Sequence, residues 1–343
     1  PEELATMKPV PALTAPRTLK VYAELSKARL TVLNVLAAMT AVALSPLPAT
    51  VPVLLATAAG TALCSAAANA TNQISEVPYD AQMARTRMRP LVRRAIKPLH
   101  AAGFAVTCGI AGPAILWNFA SPLAGAIGAG TMMLYAFVYT PLKRRSILNT
   151  WVGAVVGAAP PLIGWTAVGG ALVPSAVHPA LVYPPPGTES LLPVLEQYVP
   201  YLHYATDWPF SSGNPLSGLA LFAFMFSWQF PHFNPLAHVN REAYTLAGYK
   251  MLSVISPSRN AAVSLRHTVL LVAMSSTLVP LSGLTTWAFA ITSLVPNAVL
   301  LHGAVKYWRT RSDQHARRLF HLGLIYLPIV LGLMMLHKEG SEW

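Results

Sequence analysis

Apolar residues gather into nine long stretches, at about 28–46, 51–74, 98–118, 122–139, 147–169, 214–232, 260–282, 285–305 and 317–337. Each is close to the ~20 residues that a helix needs to cross the hydrocarbon core of a bilayer. The chain shows no period-two alternation broken by regular turns, the mark of a membrane barrel. In lipid, a helix also satisfies its own backbone groups. The pattern predicts an all-α integral membrane protein with nine transmembrane helices. The long connections on one face, 75–97 and 233–259, lie four spans apart and hint at an internal duplication. The segment 170–213 is the other long connection, with Pro184, Pro185, Pro186, Glu189, Glu196 and Asp207. It reads as a lid or partner surface on the opposite face, with 190–204 forming a short amphipathic helix at the bilayer surface.

Composition agrees. Of 343 residues, 54% are hydrophobic and only 10% charged, against about 25% charged in a soluble domain. The net charge of +12 would suggest nucleic acid in a soluble protein, but its distribution excludes that reading. Lys and Arg fall before the first span and in 85–97, 143–145, 241–266 and 306–318, and none lies from Trp151 to Asn240. Only Lys338 breaks the rule, so 23 of 24 basic residues lie on one side of the membrane. Cys64 and Cys108 sit within apolar spans without metal or redox spacing and read as small apolar filling. Residues 1–27 are basic and aperiodic, and are expected to be mobile or interfacial. The sequence opens at Pro1 rather than Met, so a targeting segment is expected to have been removed or left out ahead of it. Residues 338–343 form a short tail.

The chemistry concentrates in 72–91. Asn72, Glu76 and Asp80 recur every four residues, and no other acid occurs between Glu24 and Glu189. On a helix they form one stripe, with a rise of about 6 Å per step. A carboxylate at a membrane span is costly and marks a functional site by default. Two carboxylates and an amide suit Mg²⁺, which completes its shell with water and phosphate oxygens. Arg85, Arg87, Arg89, Arg93 and Arg94 follow, and Lys143, Arg144 and Arg145 lie on the same face. Arginine forks match phosphate oxygens, so a metal-bound diphosphate is the implied ligand.

Asn72-x-x-x-Glu76-x-x-x-Asp80 followed by Met83-x-Arg85-Thr86-x-x-Arg89-Pro90-Leu91 resembles the first acidic motif of the UbiA superfamily of intramembrane prenyltransferases. The Asn72-Gln73-x-x-Glu76-Val77-Pro78 form is similar to the eukaryotic haem-farnesylating branch. Two further stretches agree. One is Tyr139-Thr140-Pro141-Leu142-Lys143-Arg144, with Asn149 and Gly153-x-x-x-Gly157-x-x-Pro160-Pro161-x-x-Gly164-Trp165. The other is Trp228-Gln229-Phe230-Pro231-His232-Phe233, with Ala247-Gly248-Tyr249-x-Met251-Leu252. The resemblance covers about 20–337 apart from 170–213.

It implies one domain over 28–337: a nine-helix bundle around a central cavity open to lipid, in the mitochondrial inner membrane, with basic loops and site facing the matrix. The implied reaction moves a farnesyl group from farnesyl diphosphate to the 2-vinyl group of haem b, making haem O for cytochrome oxidase. Asn72, Glu76 and Asp80 would hold Mg²⁺, and Arg85, Arg89, Lys143, Arg144 and Arg241 the diphosphate. Tyr139, with aromatics such as Trp165, Trp228 and Phe230, would shield the allylic cation. His232, Trp228 and Phe233 would meet haem, with His232 an axial-ligand candidate. Haem A synthase and other oxidase-assembly factors are the implied partners, and an oligomer is left open. One departure stands out: the family's second polar motif, usually Arg-x-Asp-Tyr, reads Arg241-Glu242-Ala243-Tyr244. Either Glu242 takes over, or this half holds diphosphate and metal less directly. The alternatives are a polyprenyltransferase acting on an aromatic quinone precursor, a transporter and an assembly scaffold.

Asp80→Asn is expected to abolish turnover in a protein that still folds; retained activity would remove Asp80 from the metal set. A haem-binding spectrum unchanged in His232→Ala would likewise remove the ligand role from His232.

Overall fold

The computed structural model describes residues 14–188, 202–204 and 213–340. Among the described residues, five helices are long and apolar enough to cross a membrane: Val51–Asp80 (α3), Pro98–Phe119 (α4), Pro122–Arg145 (α5), Pro257–Leu281 (α10) and Asp313–Leu336 (α13). A sixth span arises if Ala15–Leu25 (α1) and Ala28–Leu44 (α2), bent by 60° where they meet, count as one. Among them lie Asn149–Ala167 (α6), Pro215–Val239 (α7) and Leu294–Thr310 (α12), with short helices Arg241–Leu246 (α8), Leu252–Ile255 (α9) and Ala288–Thr292 (α11). The stretch 285–305, expected as one span, is therefore two helices, and the longer runs on to Thr310.

The helices pack by close approach of small residues. Where α6 crosses α2, a Cβ on Gly164 would stand 1.9 Å from the Ala38 carbonyl oxygen, so only glycine permits this crossing. The α3–α4 contact is similar: a Cβ on Gly112 would meet the Cys64 backbone nitrogen at 2.8 Å. Both cysteines are buried and free, as expected of apolar filling. In the second half, α7 packs against α10 and α13 around Phe224, Trp228, Tyr307 and Tyr326. The outward faces carry exposed apolar side chains such as Leu36, Ile110, Phe137, Val295 and Ile325, the exposure expected of a lipid-facing surface.

Of the N-terminal segment, expected to be mobile or interfacial, Ala15–Leu25 is a helix whose Val21 and Leu25 bury against Ala70, Leu91, Ile96 and Ala101. Lys27 then adopts a left-handed conformation, with φ 49°, and turns the chain into α2.

At the opposite end, 170–188 is docked against the bundle. Ala180–Val182 (β1) pairs in parallel with Leu202–Tyr204 (β2), so the expected helix over 190–204 gives way to a strand in its last residues; 190–201 lie outside the described residues. This ribbon is the one departure from an all-α chain among the described residues. Asn214 holds it. Its Nδ2 donates to the Leu181 and Ser282 carbonyls at 2.8 and 2.9 Å, and its Oδ1 accepts from the Leu181 amide at 3.0 Å. Trp165 also serves this end, donating to the Ala171 carbonyl at 3.0 Å, which removes it from the expected cation shield. Lys338, the basic residue out of pattern, donates to the Ala43 and Ser45 carbonyls at 2.9 Å each and so caps α2.

Asn214→Ala removes the side-chain partner of the Leu181 amide and carbonyl and of the Leu216 amide, while the Ser282 carbonyl keeps the Ser217 hydroxyl. It is expected to cost a few kcal/mol, at about 1–3 per orphaned group, read as a lowered melting temperature in detergent.

Candidate functional site

The α3 helix runs through Pro78 and ends at Asp80, so Asn72, Glu76 and Asp80 share one face. All three are buried, Asp80 completely. Buried carboxylates persist only where cations and donors replace water, and here the replacements come from three separate elements. Arg89, in the turn after α3, donates to Asp80 Oδ2 at 2.5 Å and lies 3.6 Å from Glu76 Oε2. Lys143, in the last turn of α5, donates to Glu76 Oε1 at 2.8 Å. Lys27, at the α1–α2 bend, donates to Asn72 Oδ1 at 3.0 Å and to the Tyr135 hydroxyl at 3.4 Å. Thr86 fastens the turn by donating to the Asp80 carbonyl at 3.0 Å. Farther out, Arg93 pairs with Glu24.

Tyr135 and Tyr139 reach the cluster through a wide π-helical turn at Leu134–Tyr139, a feature frequent at functional sites. Thr140 accepts from Asn72 Nδ2 at 3.2 Å. Lys143 Nζ stands 4.7 Å from the Tyr139 ring centroid, and Arg144 lies 4.1 Å over the Tyr79 ring. Gly153 makes room for Tyr139, since a Cβ there would meet the ring at 2.8 Å.

The loop after α7 closes over this end. Met83, Tyr244, Tyr249 and Met251 form one buried cluster with Tyr79, Phe233 and Ala243. The Lys250 amide donates to the Lys143 carbonyl at 2.7 Å. Burial, then the nearby Glu76 and Asp80 carboxylates, push the Tyr249 phenol well above its ordinary range. Its hydroxyl therefore keeps its proton at neutral pH and points a donor toward the acids. Glu242 is exposed while Ala243 packs inward, so Glu242 does not replace the missing aspartate.

The structure thus brings Asn72, Glu76, Asp80, Arg89, Lys143 and Tyr139 together, with Arg144 at the rim and Arg85 exposed. It does not bring Arg241, which pairs with Asp313 at 2.6 Å and donates to the His238 carbonyl at 2.9 Å. The proposed haem residues also separate. Trp228 donates to the Gly323 carbonyl at 3.0 Å, and His232 stacks on Trp228 at 4.6 Å and meets Phe320 at 4.9 Å, all toward α13. Phe233 faces the other way, into a cavity beside Tyr139. Sequence reasoning missed Lys27, read within a mobile or interfacial segment, and gave no role to His267. The latter stacks on Phe230 at 3.6 Å. Only proximity in space singles these two out.

The expected central cavity is divided among the described residues. One cavity of about 60 Å³ continues the α3 stripe past Asn69, Ser65 and Thr61 to Tyr135 and Pro160. A second, of about 100 Å³, lies between Tyr139, Asn149, Thr150 and Gln229. No group of three or more His, Cys, Asp or Glu side chains suited to a metal occurs among the described residues. A hard, oxygen-bound cation still fits. Asp80 Oδ1 is buried without a partner there, beside a second carboxylate and an amide. Arg89 and Lys143 on the two acids, with Lys27 on Asn72 beside them, also suit a polyanionic ligand more than a cation alone.

The helices thus form a membrane-type bundle with buried acids and cations clustered at one end. The profile of the UbiA prenyltransferase family matches residues 31–326, and the chain belongs to that family. It is 40% identical to the mitochondrial protoheme IX farnesyltransferase of Neurospora crassa over 96% of this chain and 63% of that protein. Identity to the human protein of the same name is also 40%, over 94% of this chain and 63% of the human one. The Kluyveromyces lactis counterpart is 36% identical over the full chain and 71% of its own length. The chain thus spans a little under two thirds of the first two relatives. Among solved structures, a UbiA homolog from Aeropyrum pernix superposes with a TM-score of 0.62 at 17% identity, over 90% of this chain and 97% of that one. Another from Archaeoglobus fulgidus, bound to DMAPP and Mg²⁺, gives 0.53 at 13%, over 91% and 98%. Both share the fold.

Lys143→Met strands Glu76 beside Arg89 alone. Breaking such a buried pair costs about 3–5 kcal/mol, so a clear fall in melting temperature is expected, together with weakened binding of an allylic diphosphate in a calorimetric titration.

Proposed function

We propose that this protein transfers a farnesyl group from farnesyl diphosphate to the 2-vinyl group of haem b, forming haem O. The observation that carries this reading is the cluster of Lys27, Arg89 and Lys143 around Glu76 and Asp80, a charged, buried site at one end of α3. The acceptor comes from the similarity to proteins named protoheme IX farnesyltransferase. The proposal extends to location: the mitochondrial inner membrane, with all nine long helices of 28–337 crossing and the site toward the matrix. Its supports are the mitochondrial relatives and the one-sided Lys and Arg distribution.

Asn72, Glu76 and Asp80 would hold Mg²⁺, which supplies charge neutralisation to the diphosphate when bound. Arg89 and Lys143, already on the acids, move onto phosphate oxygens as the ligand enters, and Lys27 joins them. Arg85 and Arg144 offer further charge at the rim. Tyr249, held protonated, donates to the diphosphate. These fixed charges stabilise the leaving group where negative charge develops, in a setting from which bulk water is excluded. The Tyr139 π face, beneath Lys143, then turns toward the allylic cation. Phe233 lines the cavity behind Tyr139 and makes that side the approach of the haem vinyl group. Arg241, bound to Asp313, holds α8 against α13 and stays away from the diphosphate. A transporter would place its ionisable groups near the bilayer midplane, whereas these stand at the end of a 30-residue helix.

The purified protein, given farnesyl diphosphate, haem b and Mg²⁺, is expected to release diphosphate and form a farnesylated, hydroxylated haem, with both lost on chelation. Farnesyl transfer to a hydroxybenzoate instead of haem would favour the quinone-precursor reading.

A further inference from the structure

The cavity beside Tyr139 is built to hold water, although its walls are deep in the bundle. Asn149 and Thr150 line it and are buried, at 0% and 5% exposure. Asn149 Oδ1 and Thr150 Oγ1 lack hydrogen-bond partners among the described residues. The Asn149 amide nitrogen is already committed, donating to the Ser146 and Lys250 carbonyls at 2.6 and 3.0 Å, which fixes the oxygen toward the cavity. Gln229 enters from α7 and lies over Gly157, where a Cβ would meet its amide nitrogen at 2.6 Å. Orphaned buried acceptors cost about 1–3 kcal/mol each. A cavity of about 100 Å³ has space for several waters that would relieve that cost. Phe230 and Phe233 close the remaining wall with apolar faces.

We propose that Asn149, Thr150 and Gln229 position the water molecule that completes the reaction; this rests on the farnesyl transfer argued above. Ionisation breaks the farnesyl C1–O bond and leaves its electron pair on the diphosphate. The terminal vinyl carbon of haem bonds to C1, and the positive charge moves to the vinyl carbon attached to the ring. A water oxygen bonds to that carbon, and the released proton leaves with the diphosphate. An unpositioned water loses this step to a competing one, in which the cation sheds a proton from the adjacent carbon and an alkene forms. Thr150 and Gln229 therefore select the hydroxylated product, and the cavity adjoining Tyr139 puts the water next to the cation rather than next to the diphosphate.

The test reads the ratio of hydroxylated to dehydrated farnesyl haem by mass spectrometry, using the full chain in detergent, in ordinary and in isotopically labelled water. Thr150→Val keeps the shape of the side chain and removes the hydroxyl. It is expected to lower the ratio about tenfold, the effect of roughly one lost hydrogen bond to the attacking water. Gln229→Leu shifts the ratio in the same direction, and Thr150→Ser restores it. Label in the hydroxyl of the wild-type product supports water as its source. A wild-type ratio in both Thr150→Val and Gln229→Leu, or an unlabelled hydroxyl, overturns the proposal while leaving farnesyl transfer intact. A wild-type protein that makes no farnesylated haem removes the function reading itself, and this proposal with it.

Discussion

Two carboxylates cannot stay ionised in the interior of a helical bundle without cations to replace water, and much of this molecule is arranged around meeting that demand. Glu76 and Asp80 sit on one helix, but their partners come from elsewhere. Arg89 arrives from the turn after α3 and Lys143 from the end of α5, while Lys27, at the α1–α2 bend, holds the neighbouring Asn72. Each delivery requires a local departure from regular structure. Lys27 takes a left-handed conformation. The α3 exit is fastened by Thr86, and α5 widens into a π turn before Lys143.

That arrangement also determines what the site can bind. Arg89 and Lys143 are already desolvated on the two acids. An incoming polyanion therefore replaces existing contacts instead of desolvating new charge, a smaller cost in a low-dielectric setting. The tyrosines complete the design from both sides. Tyr135 is tied to Lys27, Tyr139 lies under Lys143, and Tyr249 closes from the second half of the chain. The cavity beyond Tyr139 carries Asn149 and Thr150 from α6 and Gln229 from α7 beside the rings of Phe230 and Phe233, a lining suited to one water and one apolar acceptor.

The acid stripe was legible because spacing four on a helix is a local property, and rarity made Glu76 and Asp80 conspicuous. The basic face was legible because topology is written in charge counts. Other features were not. Lys27 looked like one topology lysine among many until folding carried it across to Asn72. Arg241 looked like a diphosphate ligand because its motif placed it there, yet Asp313, 72 residues away in the chain, takes it. Neighbours in one motif also diverged: on α7, His232 and Phe233 are adjacent in sequence but face α13 and the Tyr139 cavity respectively.

By itself, then, the sequence determined a multi-pass helical protein, its charge asymmetry, and a stripe of two acids and an amide at 72–80. These are encoded by periodicity and composition over tens of residues, which any helix must express. Only the tertiary structure decided which of 24 basic residues reach the two acids. It also decided which of the aromatics line a cavity and which merely fill contacts, and that 170–188 closes one end of the bundle through Asn214. Those outcomes depend on helix rotation and crossing. At Gly164 a crossing is set by the absence of a single Cβ against Ala38, a constraint that exists only once two distant helices meet.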